Sequence, residues 1–292
     1  MREGLIIKAL SGFYYVKNDD GVFQCRGRGL FRKQKISPLV GDRVEFDADN
    51  DKEGYVQEIK ERKNELVRPS VANIDQGILV FSAVEPVFST MLLDRFLVHL
   101  EAHDIEPVIV VTKKDLASPS EQEEIEKYAD LYRSIGYSVY FLSVQTPESL
   151  EQISHLFAGK LSIFAGQSGV GKSTLLNYLN PKLHLETGVI SDHLKRGKHT
   201  TRHVELVEVF GGLVADTPGF SSLEFTGLLK ENVDIYFPEM AERLPDCKFR
   251  GCKHIKEPGC AVTAAWKEGT IADHRYQHYL QFYKEIADIR RY

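Results

Sequence analysis

The stretch LSIFAGQSGVGKSTLLNYL, residues 161–179, constrains the fold of this 292-residue chain more than any other. An apolar run gives way to G-x-x-x-x-G-K-S at Gly166–Ser173, and an apolar-periodic segment follows. That order predicts a buried strand, a phosphate-binding loop and a helix, the unit from which parallel α/β sheets are built. Gly166, Gly169 and Gly171 let the loop curl, so that the backbone N–H groups of Gln167, Ser168, Val170 and their neighbours face phosphate oxygens. The helix that opens with Ser173 and Thr174 adds its positive dipole end. Lys172 is placed to bridge the β- and γ-phosphates, and the Ser173 hydroxyl to ligate Mg²⁺.

The flanking sequence repeats this alternation. GILVFSAV, PVIVVT, SVYFLS and LVADT read as further buried strands, with TMLLDRFLVHLEAH and EQEEIEKYADLYRSI as helices between them. Before them, LIIKAL, FYYVKN, VFQCR, DRVEFDA and GYVQEI are short alternating runs broken by Gly, Asp and Asn, the pattern of a small five-stranded OB-like barrel. Beyond about residue 225 the chain turns helix-rich. We therefore expect a multidomain protein: an N-terminal OB-fold barrel over 1–67, a central α/β P-loop domain over 68–223, and a helical metal-binding domain over 224–292. A hydrophobic content of 42% suits such cores, and the longest apolar runs fall far short of the roughly 18 residues a membrane helix needs. With no basic-then-apolar leader, a cytoplasmic chain with no membrane partner is expected.

Two further motifs complete a nucleotide site. LVADTPGF brings Asp216 to the Mg²⁺ side of the phosphates at the end of a strand, and offers the Gly219 N–H to the γ-phosphate. The polar stretch SDHLKRGKHTTRH between phosphate loop and strand is where a first switch belongs, with Thr200 or Thr201 closing on Mg²⁺. TKKD, Thr112 to Asp115, follows the strand PVIVVT. In a guanine-reading arrangement Asp115 accepts from N1–H and the exocyclic amine, while Lys113 lays its stem along the base. Lys114 lies within the same motif. Thr112 stands where Asn is usual, so the supporting hydrogen bonds must differ. Ser143 and Val144, after SVYFL, occupy the place of a second base-side loop. These pieces run base motif, base-side loop, phosphate loop, first switch, second switch, a circular permutation of the familiar GTPase order that sends the second switch straight into the C-terminal domain. An ATPase is disfavoured by Lys113 and Asp115.

Cys247, Cys252, His254 and Cys260 supply three thiolates and an imidazole within fourteen residues, enough for one closed, structural Zn²⁺ shell. His274 and His278 read as surface residues, Cys25 as a small buried hydrophobe. Tyr276, Tyr279, Phe282 and Tyr283 recur at helical spacing and are expected in the core against the metal lobe. A net charge of −5 gives no global attraction to nucleic acid, but QCRGRGLFRKQK places Arg26, Arg28, Arg32, Lys33 and Lys35 on the barrel with Phe31 interleaved, a candidate RNA-binding surface. Lys248, Arg250, Lys253 and Lys256 form a second basic group around the cysteines.

TKKD, GQSGVGKS, GKHTTRH, DTPGF and the C-x4-C-x-H-x5-C cluster, in this order over essentially the whole chain, resemble the ribosome-small-subunit-dependent GTPase A family. The resemblance implies GTP hydrolysis to GDP stimulated by the 30S ribosomal subunit, a role in late maturation of that particle, and 16S rRNA as the partner of the basic surfaces. A monomer is expected. The alternative to a coupled enzyme is a docking protein whose GTP only stabilises one conformation. Because Phe220 follows Gly219 directly and a phenyl ring cannot orient water, the nearest polar candidate for that task is His199.

Overall fold

In the computed structural model, residues 1–29, 31, 36–143, 147–180, 204–220, 224–225 and 227–289 are described, with the backbone alone for 147–150 and 216–220. Strands β1 (Arg2–Leu10), β2 (Phe13–Asn18), β3 (Gly21–Gly27), β4 (Arg43–Ala48) and β5 (Gly54–Ile59) close into a barrel in the order β1-β2-β3-β5-β4, with β1 pairing back to β4. Only the β3–β5 pairing is parallel among these. Closure removes the exposed edges that a short polar sheet would otherwise offer to other chains. Alternation does the rest: Ile6, Val16, Cys25, Val44, Phe46 and Val56 fill the interior, as expected for Cys25. Phe31 is also buried, at 7% exposure, so it is core rather than an aromatic available for base stacking. Its neighbours in sequence are basic, but its own side chain packs with the barrel cluster.

A two-residue ladder of β6 (Glu65–Leu66) and β7 (Val71–Ala72) leads into the second sheet region. There β8 (Gln76–Ser82), β9 (Glu106–Thr112), β10 (Ser138–Leu142), β11 (Leu161–Ala165), β12 (Glu205–Val209) and β13 (Gly212–Phe220) lie in the order β10-β9-β8-β11-β13-β12. The first five are parallel, and β12 turns back antiparallel on β13. Helices α1 (Thr90–Glu101), α2 (Pro119–Ile135), α3 (Pro147–Ser154) and α4 (Lys172–Leu179) accompany them. All seven residues of β8 are buried, which is why its sequence shows no polar face. Leu79 and Phe81 pack with Leu93, Phe96 and Leu97 of α1 on one side, while Ile78 and Val80 meet Leu175, Leu176 and Leu179 of α4 on the other. Ser118 starts α2 with a reciprocal capping box to Glu121.

From β8 the chain steps outward to β9 and β10, then crosses back over β8 to reach β11. The direction of winding thus reverses between β8 and β11, and the carboxyl ends of these two strands diverge into the crevice where such sheets take their ligands. β13 departs from expectation. It does not stop at Asp216 but carries on through the backbone to Phe220, because Phe220 pairs again with Ala165 after a register break that follows Ile163↔Ala215. The backbone of Asp216–Gly219 bulges between those two pairings. At the far edge, Lys8 of β1 is in register with Glu205 of β12 and forms an ion pair with it at 2.7 Å, which joins barrel and sheet into one eleven-stranded sheet.

The C-terminal lobe holds α5 (Pro238–Ala241), α6 (Ala261–Lys267) and α7 (Asp273–Asp288). Tyr276, Tyr279 and Phe282 are buried with Phe225, Phe237 and Met240, and Tyr283 packs on this cluster, so the aromatic stripe of α7 is core as its spacing predicts. His278, expected at the surface, is instead buried, with Nδ1 2.5 Å from an Asp94 carboxylate oxygen. A fully buried guanidinium lies one turn away. Arg275 donates to Asp94 at 2.7 Å and bidentately to Glu239 at 2.7 and 2.9 Å, and Tyr132 donates to the same Asp94 oxygen at 2.6 Å. Burial pushes the Asp94 carboxyl up, but Arg275 and the hydrogen bonds from His278 and Tyr132 hold it below its ordinary range. No described helix is long and apolar enough to cross a membrane.

Removing Arg275 leaves two buried carboxylates without their cation. Arg275→Met should cost about 3–5 kcal/mol, read as a fall in the urea midpoint by circular dichroism. A loss below about 1 kcal/mol, the scale of an exposed ion pair, would show that the network does not hold the lobe.

Candidate functional site

The phosphate loop sits on the crevice between β8 and β11. Gly166 has φ +137°, and a Cβ there would lie 2.0 Å from the Val80 carbonyl oxygen, so the loop can leave β11 at this height only with glycine. Gly169 and Gly171 have φ +82° and +97°, and Gly171 caps α4. Val170, between them, is fully buried and anchors the loop in the core beneath α4. Gln167 is half-buried and Ser168 exposed. Lys172 Nζ donates to the Gly166 carbonyl at 2.8 Å and the Gln167 carbonyl at 2.5 Å. Burial with no anion nearby brings its pKa down to about 8. Ser173 and Thr174, half-buried, form the first turn of α4.

TKKD reaches the same loop from β9. Thr112, at the carboxyl end of the strand, is 3% exposed, and its hydroxyl lies 2.7 Å from the Val170 carbonyl and 3.1 Å from that of Phe81. Lys113 adopts φ +58° and sends Nζ to the Gly169 carbonyl at 2.9 Å and the Glu85 carbonyl at 2.6 Å. Base motif and phosphate loop, separated by more than fifty residues in sequence, are thus bonded side by side. Asp115 is exposed on the short turn Lys114–Leu116. Lys114 points elsewhere: its ammonium pairs with Glu126 and lies 4.2 Å from the centroid of the Phe141 ring. Ser143 follows Leu142, which is in register with Thr112 on the neighbouring strand. The backbone of Asp216 pairs with Glu205, and that of Gly219 lies within β13. His199, Thr200, Thr201 and Val144 lie outside the described residues, as do Arg32, Lys33 and Lys35 of the barrel's basic stretch. Arg26 and Arg28 are exposed, with the Arg26 guanidinium 5.0 Å over the Phe13 ring.

In the C-terminal lobe Cys247, Cys252, His254 and Cys260 bring one ligand atom each to within 4.8 Å of one another. His254 Nδ1 lies 3.7 Å from Cys247 Sγ and 3.2 Å from Cys260 Sγ, and the last two sulfurs are 4.0 Å apart. A tetrahedral shell with Zn–S bonds of about 2.3 Å asks for S···S separations of about 3.8 Å, so the cluster fits that metal. Packing fixes the ligands from behind. His254 Nε2 is 3.2 Å from an Asp234 carboxylate oxygen, which leaves Nδ1 facing the sulfurs. Tyr276 donates to the His254 carbonyl at 2.6 Å and Tyr279 to that of Lys253 at 2.8 Å, so α7 carries the knuckle on its back. Burial pushes the Cys260 thiol up, yet hydrogen bonds from Thr263, His254 and Cys252 together outweigh it and bring its pKa down to about 7. Asp234 and these tyrosines carry no sequence signal for a role beside the metal ligands.

Comparison with known proteins agrees with this layout. The RsgA N-terminal domain family matches residues 3–56 and the RsgA GTPase family residues 59–226. The chain is 59% identical over 293 residues to the small ribosomal subunit biogenesis GTPase RsgA of Bacillus subtilis (strain 168), covering 99% of this chain and 98% of that protein. It is 58% identical over 286 residues to the protein of the same name from Halalkalibacterium halodurans, covering 98% and 97%. Among solved structures it is similar to YloQ, described as a circularly permuted GTPase, with TM-score 0.86 and 53% identity over 100% of this chain and 97% of that one. It is also similar to YjeQ from Thermotoga maritima, with TM-score 0.87 and 35% identity over 99% of each.

The lowered pKa of Lys172 predicts that phosphate binding at this loop depends on pH. Bound phosphates restore the ammonium to its ordinary range, so above pH 8 binding takes up a proton. Nucleoside triphosphate affinity should therefore fall as pH rises through 8, approaching about tenfold per pH unit. Titration calorimetry at pH 9 in buffers of different ionisation enthalpy should report that uptake in wild type and none in Lys172→Met. Equal uptake in both would place the titrating group elsewhere.

Proposed function

Because the chain belongs to the RsgA GTPase family and is a GTP hydrolase, we propose that it converts GTP to GDP and phosphate on the 30S ribosomal subunit during the late maturation of that particle. Its relatives are named for small-subunit biogenesis. In this reading it works in the cytoplasm as a monomer, contacts 16S rRNA, and is stimulated by the particle. The observation that supports the nucleotide site is the contact of Lys113 Nζ with Gly169, by which a base motif and a phosphate loop are bonded to each other at the strand-order reversal, where such sheets take their ligands.

The residues divide the work by chemistry. The loop Gly166–Thr174 presents backbone N–H groups, the α4 dipole and Lys172 to the phosphates. Asp115 reads the guanine edge, with the Lys113 stem along the base and Lys114 and Ser143 beside it. Gly219 senses the γ-phosphate. A hydroxyl, a carboxylate and a second hydroxyl, from Ser173, Asp216 and Thr200 or Thr201, are the hard oxygen donors Mg²⁺ requires. Bound there with GTP, Mg²⁺ supplies charge neutralisation at the β- and γ-phosphates. His199 orients the attacking water. One structural Zn²⁺ held by Cys247, Cys252, His254 and Cys260 keeps the C-terminal lobe folded. Arg26, Arg28, Arg32, Lys33 and Lys35 face the rRNA from the barrel. The functional units are 1–67 for RNA, 68–223 for GTP and 224–292 for the metal lobe.

Turnover of GTP measured alone and with purified 30S, 50S and 70S particles tests the coupling, with stimulation expected from 30S above the others. Hydrolysis indifferent to all three would leave a docking protein whose GTP only fixes a conformation. His199→Ala should lose most of the stimulated rate, by about 10²-fold or more for a lost water-orienting base, with GTP affinity and particle binding retained. Equal stimulated rates in both proteins would take His199 out of the reaction.

The metal reading has its own readout. Protein purified under reducing conditions should contain about one zinc per chain, lost in Cys252→Ser, with raised protease sensitivity beyond residue 225 and nucleotide binding preserved. Absence of zinc from the wild type would end the assignment.

A further inference from the structure

The turn that carries Asp115 is short: three residues, Lys114–Leu116, entered through Lys113 at φ +58° and closed by the Leu116 and Ala117 N–H groups on the Lys113 and Lys114 carbonyls. So few bonds of its own cannot fix the aim of an exposed carboxylate, which is set instead by what touches the turn from outside. Two side chains make those contacts. Gln122 of α2 donates its amide to the Ala117 carbonyl at 2.9 Å and to the Lys114 carbonyl at 3.3 Å. Lys114 pairs its ammonium with Glu126 of α2 and sets it 4.2 Å from the centroid of the Phe141 ring of β10. Arg133 of α2 lies 5.6 Å from the same centroid and donates to the Val139 carbonyl at 3.1 Å, so α2 and β10 are themselves joined. Phe141 stands two residues before Ser143, where the base-side loop begins.

We infer that Lys114 is a positioning residue for guanine selectivity: its ammonium ties the Asp115 turn to α2 through Glu126 and to β10 through Phe141, and so fixes the carboxylate that reads the base against the loop that flanks it. The pair is part-exposed, 29% on the lysine and 40% on the glutamate, and adds little to the stability of the fold. Its effect is local, on the one turn it aims. The bonds that Asp115 accepts from N1–H and the exocyclic amine of guanine are directional and weaken steeply off line. A turn that drifts loses them, while the phosphate loop, anchored through Val170 in the core beneath α4, keeps its shape. Lys114 therefore contributes discrimination between bases and leaves affinity for the triphosphate alone. This inference rests on the nucleotide site proposed above.

Dissociation constants for GTP and ATP, measured by titration calorimetry, test the role. Adenine offers Asp115 neither an N1–H nor an exocyclic amine at that edge, so ATP reports the phosphate side alone. Lys114→Met keeps the stem and removes the charge, Lys114→Arg keeps the charge, and Glu126→Gln removes the partner. Lys114→Met should weaken GTP by about three- to tenfold, the range of one net hydrogen bond, and leave ATP unchanged. Glu126→Gln should weaken GTP in the same direction, and Lys114→Met with Glu126→Gln should lose no more than Lys114→Met alone. Lys114→Arg should keep most of the wild-type ratio of GTP to ATP affinity. Wild-type GTP affinity in Lys114→Met, or equal losses for GTP and ATP, overturns the inference. So does wild-type GTP affinity in Glu126→Gln beside a weakened Lys114→Met, since the ammonium would then act on the nucleotide itself. Asp115→Asn, run alongside with xanthosine triphosphate, distinguishes its failure from that of the parent reading. If Asp115→Asn switches preference while Lys114→Met is silent, only the positioning role falls. If Asp115→Asn keeps wild-type GTP preference, the base site lies elsewhere and both fall together.

Discussion

The close approach of Gly166 to β8 is the constraint on which the rest of the nucleotide crevice depends. With 2.0 Å between the place of a Cβ and the Val80 carbonyl, the chain leaving β11 is forced flat across the top of the neighbouring strand. That path puts Val170 under the end of β9, where Thr112 meets it, and starts α4 over Ile78 and Val80. Had the loop risen steeply from β11, neither contact with TKKD would form. A backbone contact that leaves no room for a Cβ thus decides whether two distant motifs make one site.

Permutation leaves this crevice untouched while changing what is attached to it. In the sheet, β8, β9, β10 and β11 keep parallel pairing and their carboxyl ends together, which is all that ligand binding asks of chain order. The chain leaving β13 instead enters the metal lobe, and Phe225 is its first described buried residue there. The Phe225 ring stacks on His99 at 5.1 Å and lies under the Arg95 guanidinium at 4.5 Å, while Arg95 also pairs bidentately with Glu285 of α7. Together with the fully buried Arg275–Asp94 pair, this fastens α7 to α1 through charge and aromatic contacts. A lobe of short helices and tight turns gains from the sheet the packing surface it lacks by itself.

Sequence reveals those features whose cause is local and hides those whose cause is a distant partner. GILVFSAV declares a doubly buried strand because its side chains are apolar on both faces but for Ser82, and GQSGVGKS declares its loop because each glycine answers to its own φ. The cysteine spacing likewise declares a clustered set of metal-type ligands, which the fold brings within 4.8 Å of one another. Arg275 is invisible by these rules: its partners Asp94 and Glu239 are 181 and 36 residues away, and a lone Arg on an aromatic helix reads as solvated. His278 is hidden for the same reason, through the same Asp94. Phe31 misleads in the opposite direction, since five basic neighbours suggest a stacking surface while the ring itself completes the barrel core. β13 runs past Asp216 because Ala165, fifty-five residues before Phe220, pairs with it again, and no pattern inside LVADTPGF encodes that.

The described residues next to GKHTTRH and DTPGF are held by the two flanking lobes. Glu205, the first residue of β12 and the first strand residue after GKHTTRH, is in register with Lys8 of the barrel and ion-paired to it. Phe225, five residues after DTPGF, is clamped by α1 and α7. β12 and β13 are themselves one antiparallel hairpin, with Glu205 opposite Asp216. The exit of the first stretch and the entry to the second are therefore a single cross-strand pair, and the fixed points beyond it lie in different lobes. A part-exposed ion pair such as Lys8–Glu205 is worth little, about 0–1 kcal/mol, whereas the Phe225 ring is fully buried. The two attachments differ in kind: the barrel joins the β12–β13 hairpin through the β1–β12 strand pairing and the ion pairs Lys8–Glu205 and Lys17–Glu208, whereas Phe225 packs within the core of the C-terminal lobe.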